Sequence, residues 1–214
     1  MKRVAIAAVI ALAMMSTAQA QNAQKAQKAQ NAPKAHTSPL YGEIGLSLLN
    51  LDLDGSGGDV TALRGVVGYD LHDVVPLPPN VPVKLAAEGI LALGITEASE
   101  SESFNAGFGY TGETTAKTKL KYSLGGYAKG TFNVTPELEV FGRLGIAQTK
   151  VTATATTTVT YFGSMSASAS NTDTGLAYGL GAKYNFNPRM SVGIDYMQYA
   201  DGVDGFTASF GYRF

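Results

Sequence analysis

The chain has 214 residues, of which 45% are hydrophobic and 15% charged, with a formal net charge of −1 and no cysteine. This length accommodates one domain, and the balanced charge argues against a nucleic-acid-binding protein, which normally carries a basic face. The lack of cysteine excludes disulfide frameworks and thiolate metal sites.

Residues 1–20 have the pattern of a cleaved secretory signal peptide. A basic start at residues 2–3 is followed by an apolar stretch over residues 4–15, and Ala18 and Ala20 supply the small residues of a cleavage site. The apolar stretch is shorter than the roughly 20 residues that a membrane-spanning helix needs, which disfavours an uncleaved anchor. We therefore predict that the mature chain starts at Gln21, outside the cytoplasm.

Residues 21–39 predict a flexible periplasmic tether. The segment repeats Ala, Gln and Lys in near triplets and has no aromatic or β-branched residue before Thr37. Such a composition cannot bury enough apolar surface to offset the entropy of ordering. An alternative is that its lysines contact an anionic polymer or lipid headgroups, but a solvated spacer is the simpler interpretation.

From Leu40 to Phe214 the sequence alternates between apolar and polar residues with a period of two, the pattern of amphipathic β-strands. Turn signals such as Asn187-Pro188 separate several of the alternating segments. We predict an all-β fold over residues 40–214, an eight-stranded antiparallel up-and-down β-barrel. The predicted strands lie within residues 40–48, 63–71, 84–95, 120–129, 138–146, 175–186, 189–196 and 205–214.

Alternation alone does not say whether the apolar face lines a cavity, as in soluble lipocalin-type barrels, or contacts lipid. Three features favour a transmembrane barrel. The polar face is rich in Gly, Ser and Ala with isolated charges, which suits a narrow lumen better than a solvent face. Aromatic residues lie near strand ends, where membrane girdles place them, and long polar links alternate with tight turns.

The last strand, GFTASFGYRF, places Phe206, Phe210, Tyr212 and Phe214 at alternate positions. This pattern resembles the C-terminal assembly signal of bacterial outer-membrane barrels. Residues 40–214 as a whole resemble the small outer-membrane β-barrel superfamily that includes the OmpA transmembrane domain, OmpX and the opacity proteins. The resemblance implies an integral protein of the Gram-negative outer membrane with its loops at the cell surface. It also implies that the barrel-assembly machinery reads the last strand.

The inward face of the predicted barrel carries many charges. Eight strands enclose a space just wide enough to be filled by side chains, and an unpaired buried charge costs several kcal/mol in practice. We therefore predict a cross-strand network with Glu88 and Asp195 near mid-height and with Arg64 and Arg143 as their partners. The full predicted network is Glu43, Arg64, Lys84, Glu88, Lys121, Lys129, Glu139, Arg143, Lys183, Asp195 and Arg213.

Three functions remain open at this point. The favoured one is a non-catalytic barrel with a filled lumen that serves envelope structure or surface interaction, and the alternative is a narrow porin-like channel with a charge-gated lumen. A lipid-modifying enzyme is a distant third, because His36 in the tether and His72 in a periplasmic turn cannot serve as a base at the outer leaflet. No cofactor or metal is expected: the loop DLDGSGGD resembles a calcium loop but has Leu63 where an EF-hand needs its twelfth-position acid.

The outer loops would carry the function of a filled barrel. Residues 97–115 are acidic with the aromatics Phe104, Phe108 and Tyr110, and the Thr/Ala alternation after Lys150 predicts two strands that project above the membrane. Such a sheet offers an edge for pairing with a host or matrix protein, although loops that only shield the surface are an equal alternative. Other expected partners are outer-membrane lipid and lipopolysaccharide; the barrel is expected to be a monomer that binds no nucleic acid.

Overall fold

A computed structural model describes residues 38–53, 56–71, 74–75, 83–107, 110–159, 161 and 163–214. The predicted signal peptide with Ala18 and Ala20, residues 21–37 of the tether, His72 and Phe108 lie outside the described residues. Within these ranges no helix is long and apolar enough to cross a membrane. The strands are β1 Leu40–Leu53, β2 Ser56–Asp70, β3 Val83–Gly94, β4 Ala98–Gly107, β5 Tyr110–Asn133, β6 Leu138–Val159, β7 Gly163–Asn185, β8 Met190–Ala200 and β9 Val203–Arg213.

Eight of the strands form a closed antiparallel ring. Each pairs with its neighbour in the order β1, β2, β3, β5, β6, β7, β8, β9, and β9 pairs with β1 to close the circle. The predicted eight-stranded up-and-down barrel is therefore confirmed. The ring leaves no open sheet edge within the barrel wall, which is what allows a sheet to exist in hydrocarbon.

The ninth strand, β4, lies in the acidic segment that was expected to be a loop. It pairs only with the outer part of β5, from Ala98 opposite Thr118 to Gly107 opposite Tyr110. Strands β5, β6 and β7 are 24, 22 and 23 residues long, about twice the 9–11 residues that cross a membrane. Their outer parts and β4 form a four-stranded sheet beyond the barrel, which we name the projecting sheet.

The two faces of the barrel wall have the polarity of a membrane protein. Apolar side chains of the outward parity are exposed, with Leu180 at 69% and Leu48 at 66%, whereas the inward Arg64 is 0% exposed. A soluble barrel would show the reverse arrangement. The outward apolar surface is thus the lipid-facing surface, as the sequence pattern predicted.

One irregularity in β5 changes the facing of several residues. Leu120 pairs with Val151 and Tyr122 pairs with Lys150, so Lys121 is an extra residue in a β-bulge. The alternation reverses across the bulge: Leu120 is fully buried in the interior, whereas Lys121 is exposed. The prediction that Lys121 belongs to the lumenal network is therefore wrong.

The interior has two layers stacked along the barrel axis. Charged side chains occupy the middle of the barrel and the end where β1 begins and β9 ends. Toward the outer loops the interior is filled by an apolar layer, which begins at Leu49 and Leu51 late in β1. Its other large members are Val60, Val66, Ile90, Leu120, Tyr127, Val151, Met197, Tyr199 and Val203.

Candidate functional site: the filled lumen and the outer sheet

Arg143 of β6 lies at the centre of the charged layer. Its Nε donates to Glu88 Oε2 at 2.5 Å, its Nη1 to Asp195 Oδ2 at 3.0 Å and its Nη2 to Glu43 Oε2 at 3.1 Å. One guanidinium thus joins β6 to β3, β8 and β1 across the lumen. The fork of donors in a guanidinium suits this, since a lysine offers only a compact charge.

Arg64 of β2 forms the second strong contact. It donates from Nη1 to Asp195 Oδ1 at 2.6 Å and from Nη2 to Asp195 Oδ2 at 2.5 Å, a bidentate pair. Asp195 is the sixth residue of β8 and Glu88 the sixth residue of β3, so both acids lie at mid-strand. The structure therefore brings together the four residues placed at the centre of the predicted network.

Two lysines complete the neutralisation of the acids. Lys129 Nζ lies 2.9 Å from Glu88 Oε1 and 3.5 Å from Glu43 Oε1. Lys183 Nζ lies 3.5 Å from Glu43 Oε1 and 3.8 Å from Glu139 Oε2. Since each buried charge has an opposite charge within contact, the layer avoids the large penalty of an isolated ion in a dry interior.

Aromatic rings fill the space between the ions. The Tyr41 hydroxyl donates to Glu88 Oε1 at 2.6 Å, and the Phe141 ring has Lys129 Nζ at 4.4 Å and Arg143 Cζ at 4.5 Å from its centre. Such cation–π contacts are strengthened when water is excluded. Tyr41 lies over Gly68, its directly opposite partner on β2, where any side chain would collide with the ring.

The remaining predicted members lie at the margin or outside. Arg213 pairs with Asp70 at the end of the barrel where β9 ends, and Glu139 is half-buried beside Lys183. Lys84, at the second position of β3, is exposed. Its parity is inward, but it lies too near the strand end to be enclosed, so its assignment to the network is wrong together with that of Lys121.

The apolar layer was missed by the sequence reasoning. The signal was present where both parities are apolar at once, as in Leu48-Leu49 and Val66-Val67. In each pair one residue faces lipid and the other is buried in the interior. A membrane strand with apolar residues on both faces therefore indicates a dry interior at that height.

Residues 5–214 match the family described as the outer membrane protein beta-barrel domain. The chain belongs to this family. It is accordingly an integral barrel of the Gram-negative outer membrane, with its loops at the cell surface. A search of curated protein sequences gives no match.

Several solved outer-membrane barrels are similar to this family member. Ail, the attachment invasion locus protein of Yersinia pestis, was solved with the heparin analogue sucrose octasulfate; it is 20% identical, with 82% of this chain and 97% of Ail covered and a TM-score of 0.43. Neisserial surface protein A is 16% identical, with 84% and 100% covered and a TM-score of 0.46. The N-terminal barrel of Pseudomonas aeruginosa OprF is 14% identical, with 84% and 100% covered and a TM-score of 0.40.

Beyond its barrel, this outer-membrane protein carries the projecting sheet in the strand order β4, β5, β6, β7. Hydroxyl pairs link neighbouring strands: Thr152 with Ser170 at 3.0 Å, Thr154 with Ser168 at 3.3 Å and Thr156 with Ser166 at 3.0 Å. At the tip, Tyr161 is 91% exposed and contacts Tyr110 edge to face. The sheet is thus held by backbone ladders and polar side-chain pairs, with little apolar burial.

The projecting sheet has two edge strands, β4 on one side and the outer part of β7 on the other. Among the described residues, β8 pairs with β7 only from Tyr178 to Asn185, whereas β6 pairs with β7 along its length from Gly163 to Tyr184. Residues 163–174 are all exposed. The described strands of the barrel wall form a closed ring, whereas beyond it this segment of β7 is an edge strand, as β4 is on the other side of the projecting sheet.

Proposed function

We propose that this barrel is closed to solutes and acts without catalysis at the cell surface, through adhesion of the projecting sheet to a host or matrix protein. The observation that carries the proposal is the open edge of β7, residues 163–174, on a scaffold whose lumen is filled. The charged layer and the apolar layer fill the interior in succession along the axis. Such packing supports a structural role for the network rather than a conduction path.

The composition of the open edge supports recognition of an extended partner segment. An exposed edge presents unpaired N–H and C=O groups, and natural proteins usually blunt such edges with lysine or proline. Residues 163–174, GSMSASASNTDT, contain neither. Their small Ser and Ala side chains leave the backbone accessible, so an added strand could pair along the edge by β-augmentation.

Adhesion is tested by blunting the edge without unfolding the barrel. Ser166→Lys places a charge on the edge strand, and Thr156→Lys places the same charge on the central strand at the directly opposite position. Both variants remove the same hydroxyl pair. We expect cells displaying Ser166→Lys to bind a panel of immobilised matrix proteins less than cells displaying Thr156→Lys. Equal binding by the two variants would contradict recognition through the edge.

A larger change tests the whole outer sheet. Replacing residues 153–169 by Asn-Gly should leave Thr152 and Ser170 as the last pair before a tight turn. We expect this variant to retain heat-modifiable gel migration, which reports a folded barrel, and to lose binding to matrix protein. Unchanged binding of matrix protein by the shortened variant would contradict the adhesive function.

The closed lumen is tested by conductance. Purified, refolded protein in a planar lipid bilayer should give no reproducible single-channel current. A steady conductance that changes in the Glu88→Gln variant would instead support the narrow charge-gated channel. Glu88 is the informative position because it contacts Tyr41, Lys129 and Arg143 at once.

We also propose that β9 is read by the barrel-assembly machinery before the monomeric barrel closes. Phe206, Phe210, Tyr212 and Phe214 are exposed on the lipid-facing side of β9. Phe214 packs edge to face on Tyr212, with 5.4 Å between ring centres. We expect Phe214→Ala to lower the amount of heat-modifiable protein in the outer membrane, and an unchanged amount would contradict the signal.

A further inference from the structure

Four lysines collect on the outward face of the wall where β5 and β6 leave the membrane. Lys117, Lys119 and Lys121 lie on β5, and Lys150 lies on β6 opposite Tyr122. Thr118 and Leu120 are buried on the inner side of β5, as are Thr149 and Val151 on β6. Alternation therefore points Lys117, Lys119 and Lys150 outward. We name these four residues the lysine patch.

The β-bulge at Lys121 creates this arrangement. On the membrane side of the bulge, the lipid-facing residues of β5 are even-numbered, as are Tyr122 and Leu124. On its outer side the odd-numbered residues face outward, among them Lys119 and Lys117, because of the extra residue. Without the bulge, these two lysines would point to the inner side. Between Lys117 and Lys121 the strand rises about 13 Å, so the patch spans the width of a lipid headgroup region.

The height of the lysine patch matches the polar boundary of the outer leaflet. Farther toward the membrane centre, the outward residues are Leu124 on β5 and Ile146 on β6, whose side chains are 55% and 63% exposed on the lipid-facing surface. Tyr122 lies between the apolar band and the lysines, and its hydroxyl bonds Gln148 at 3.2 Å. Tyrosines of this kind mark the membrane interface.

The patch keeps a net positive charge. The acid that contacts it is Glu97, which accepts from Lys119 Nζ at 3.1 Å. The hydrogen bond and charge of Lys119, with smaller contributions from Lys117 and Lys121, hold the pKa of the Glu97 carboxyl below its usual value. One carboxylate thus interacts with three of the four ammonium groups.

The opposite side of the barrel rim has the opposite charge. There the outward positions of β1, β2 and β9 hold Asp52, Asp59 and Asp204, with Asn50 paired across to both Asp59 and Asp204. The rim is therefore polarised, and the positive charge is specific to β5 and β6. A belt of lysines around the whole rim would have indicated only general attraction to a negative surface.

We propose that the lysine patch is a binding site for the phosphate groups of an outer-leaflet glycolipid of the lipid A type. Lysine ammonium groups bind phosphate as point charges, and the site lies where such phosphates meet the acyl chains. The bulge turns the lysines toward lipid. Glu97 holds Lys119 in position, and its negative charge weakens the attraction of the patch for phosphate. The site is independent of adhesion by the β7 edge.

The test uses the full refolded chain in detergent with bisphosphorylated lipid A as the probe, and native mass spectrometry counts the lipid molecules retained. Lys119→Gln/Lys121→Gln should weaken lipid A binding by about tenfold or more. The charge-matched control is Lys84→Gln/Arg189→Gln, since both residues are exposed at the other end of the barrel. We expect the control to bind as the unchanged protein does.

Two further arms separate phosphate recognition from other causes. Dephosphorylated lipid A should bind the unchanged protein and the double variant equally weakly. Glu97→Gln should raise the affinity for bisphosphorylated lipid A by roughly two- to fivefold, because it removes the competing carboxylate.

Two results would overturn the site: equal losses of lipid A binding in the patch variant and its control, or lipid A binding that does not depend on phosphate. Heat-modifiable migration of every variant excludes misfolding as the cause of a loss. Loss of matrix-protein binding in these variants is not expected, so a failure here stays distinct from a failure of the adhesive function.

Discussion

Strands β5, β6 and β7 run through both the barrel wall and the projecting sheet, yet the two regions are stabilised in different ways. In the wall, β6 contributes Arg143, which is buried among three carboxylates from other strands. Farther along β6, Thr154 and Thr156 are half-buried, and each pairs with a serine hydroxyl of β7. The ladder between β6 and β7 continues without a break from the wall into the projecting sheet, but the burial of side chains does not.

Because of this difference, the barrel wall provides the stability of the protein, and the projecting sheet can tolerate sequence changes. Cross-lumen contacts join strands far apart in the ring, so a change there affects the whole barrel. The projecting sheet depends on neighbouring strand pairs, and loops on a rigid scaffold tolerate variation. Substitutions should therefore have effects that fall steeply from the charged layer to the outer sheet.

The largest effect is expected from Arg143→Met. Removing the guanidinium leaves Glu43, Glu88 and Asp195 short of a partner in a dry interior, and breaking a buried pair in this way costs about 3–5 kcal/mol. Urea unfolding of the refolded protein in lipid vesicles measures the loss. Lys121→Met, at the exposed bulge, is the control and should shift stability by no more than about 0.5 kcal/mol. Similar losses would mean that the network contributes little.

Next in size is Leu120→Ala, which probes the apolar layer. Leu120 is fully buried in the apolar layer. Its truncation leaves a cavity and should lower the free energy of unfolding by about 2–5 kcal/mol. Leu124→Ala, on the lipid face of the same strand, should cost less because lipid fills the space left behind. The same unfolding assay compares them, and a larger loss at Leu124 would contradict a packed interior at this height.

Gly68→Ala should have a smaller effect of about 1–3 kcal/mol. A methyl group at this position would collide with the Tyr41 ring, which holds a hydrogen bond to Glu88. Gly65, three residues earlier on β2, faces outward with nothing within 4 Å of an added Cβ. Gly65→Ala should therefore leave unfolding nearly unchanged, and equal effects of the two alanines would argue against a ring packed tightly on Gly68.

Much of the wall could be predicted from alternation alone, because one face must meet lipid and the other a narrow lumen. Arg64, Glu88, Arg143 and Asp195 lie where the parity places them. The lysine at 121 does not, because Lys119-Leu120-Lys121-Tyr122 reads as an unbroken alternation and a bulge leaves no mark in such a pattern. A single extra residue reverses the facing of all residues beyond it.

Other differences between prediction and structure depend on the position of a residue along the barrel axis or on the strand next to it. The alternation of apolar and polar residues carries neither kind of information. Lys84 has the inward parity but lies at a strand end, where the lumen opens. Strand β4 was expected to be a loop because SESESF carries too few apolar residues to indicate a strand. It is a strand because β5 extends beyond the membrane and offers an edge to pair with.

The smallest effect is expected from Thr154→Ala in the projecting sheet. It removes one exposed hydroxyl pair, the 3.3 Å contact with Ser168, and exposed substitutions of this kind usually change stability by no more than about 0.5 kcal/mol. Barrel unfolding in urea should not move, while amide hydrogen exchange of residues 163–170 should rise slightly, because the outer ladder opens independently of the wall. A loss comparable with that of Gly68→Ala would show that the sheet and the barrel unfold as one cooperative unit. The two parts would then share their stability, and tolerance of variation in the outer sheet would need another explanation.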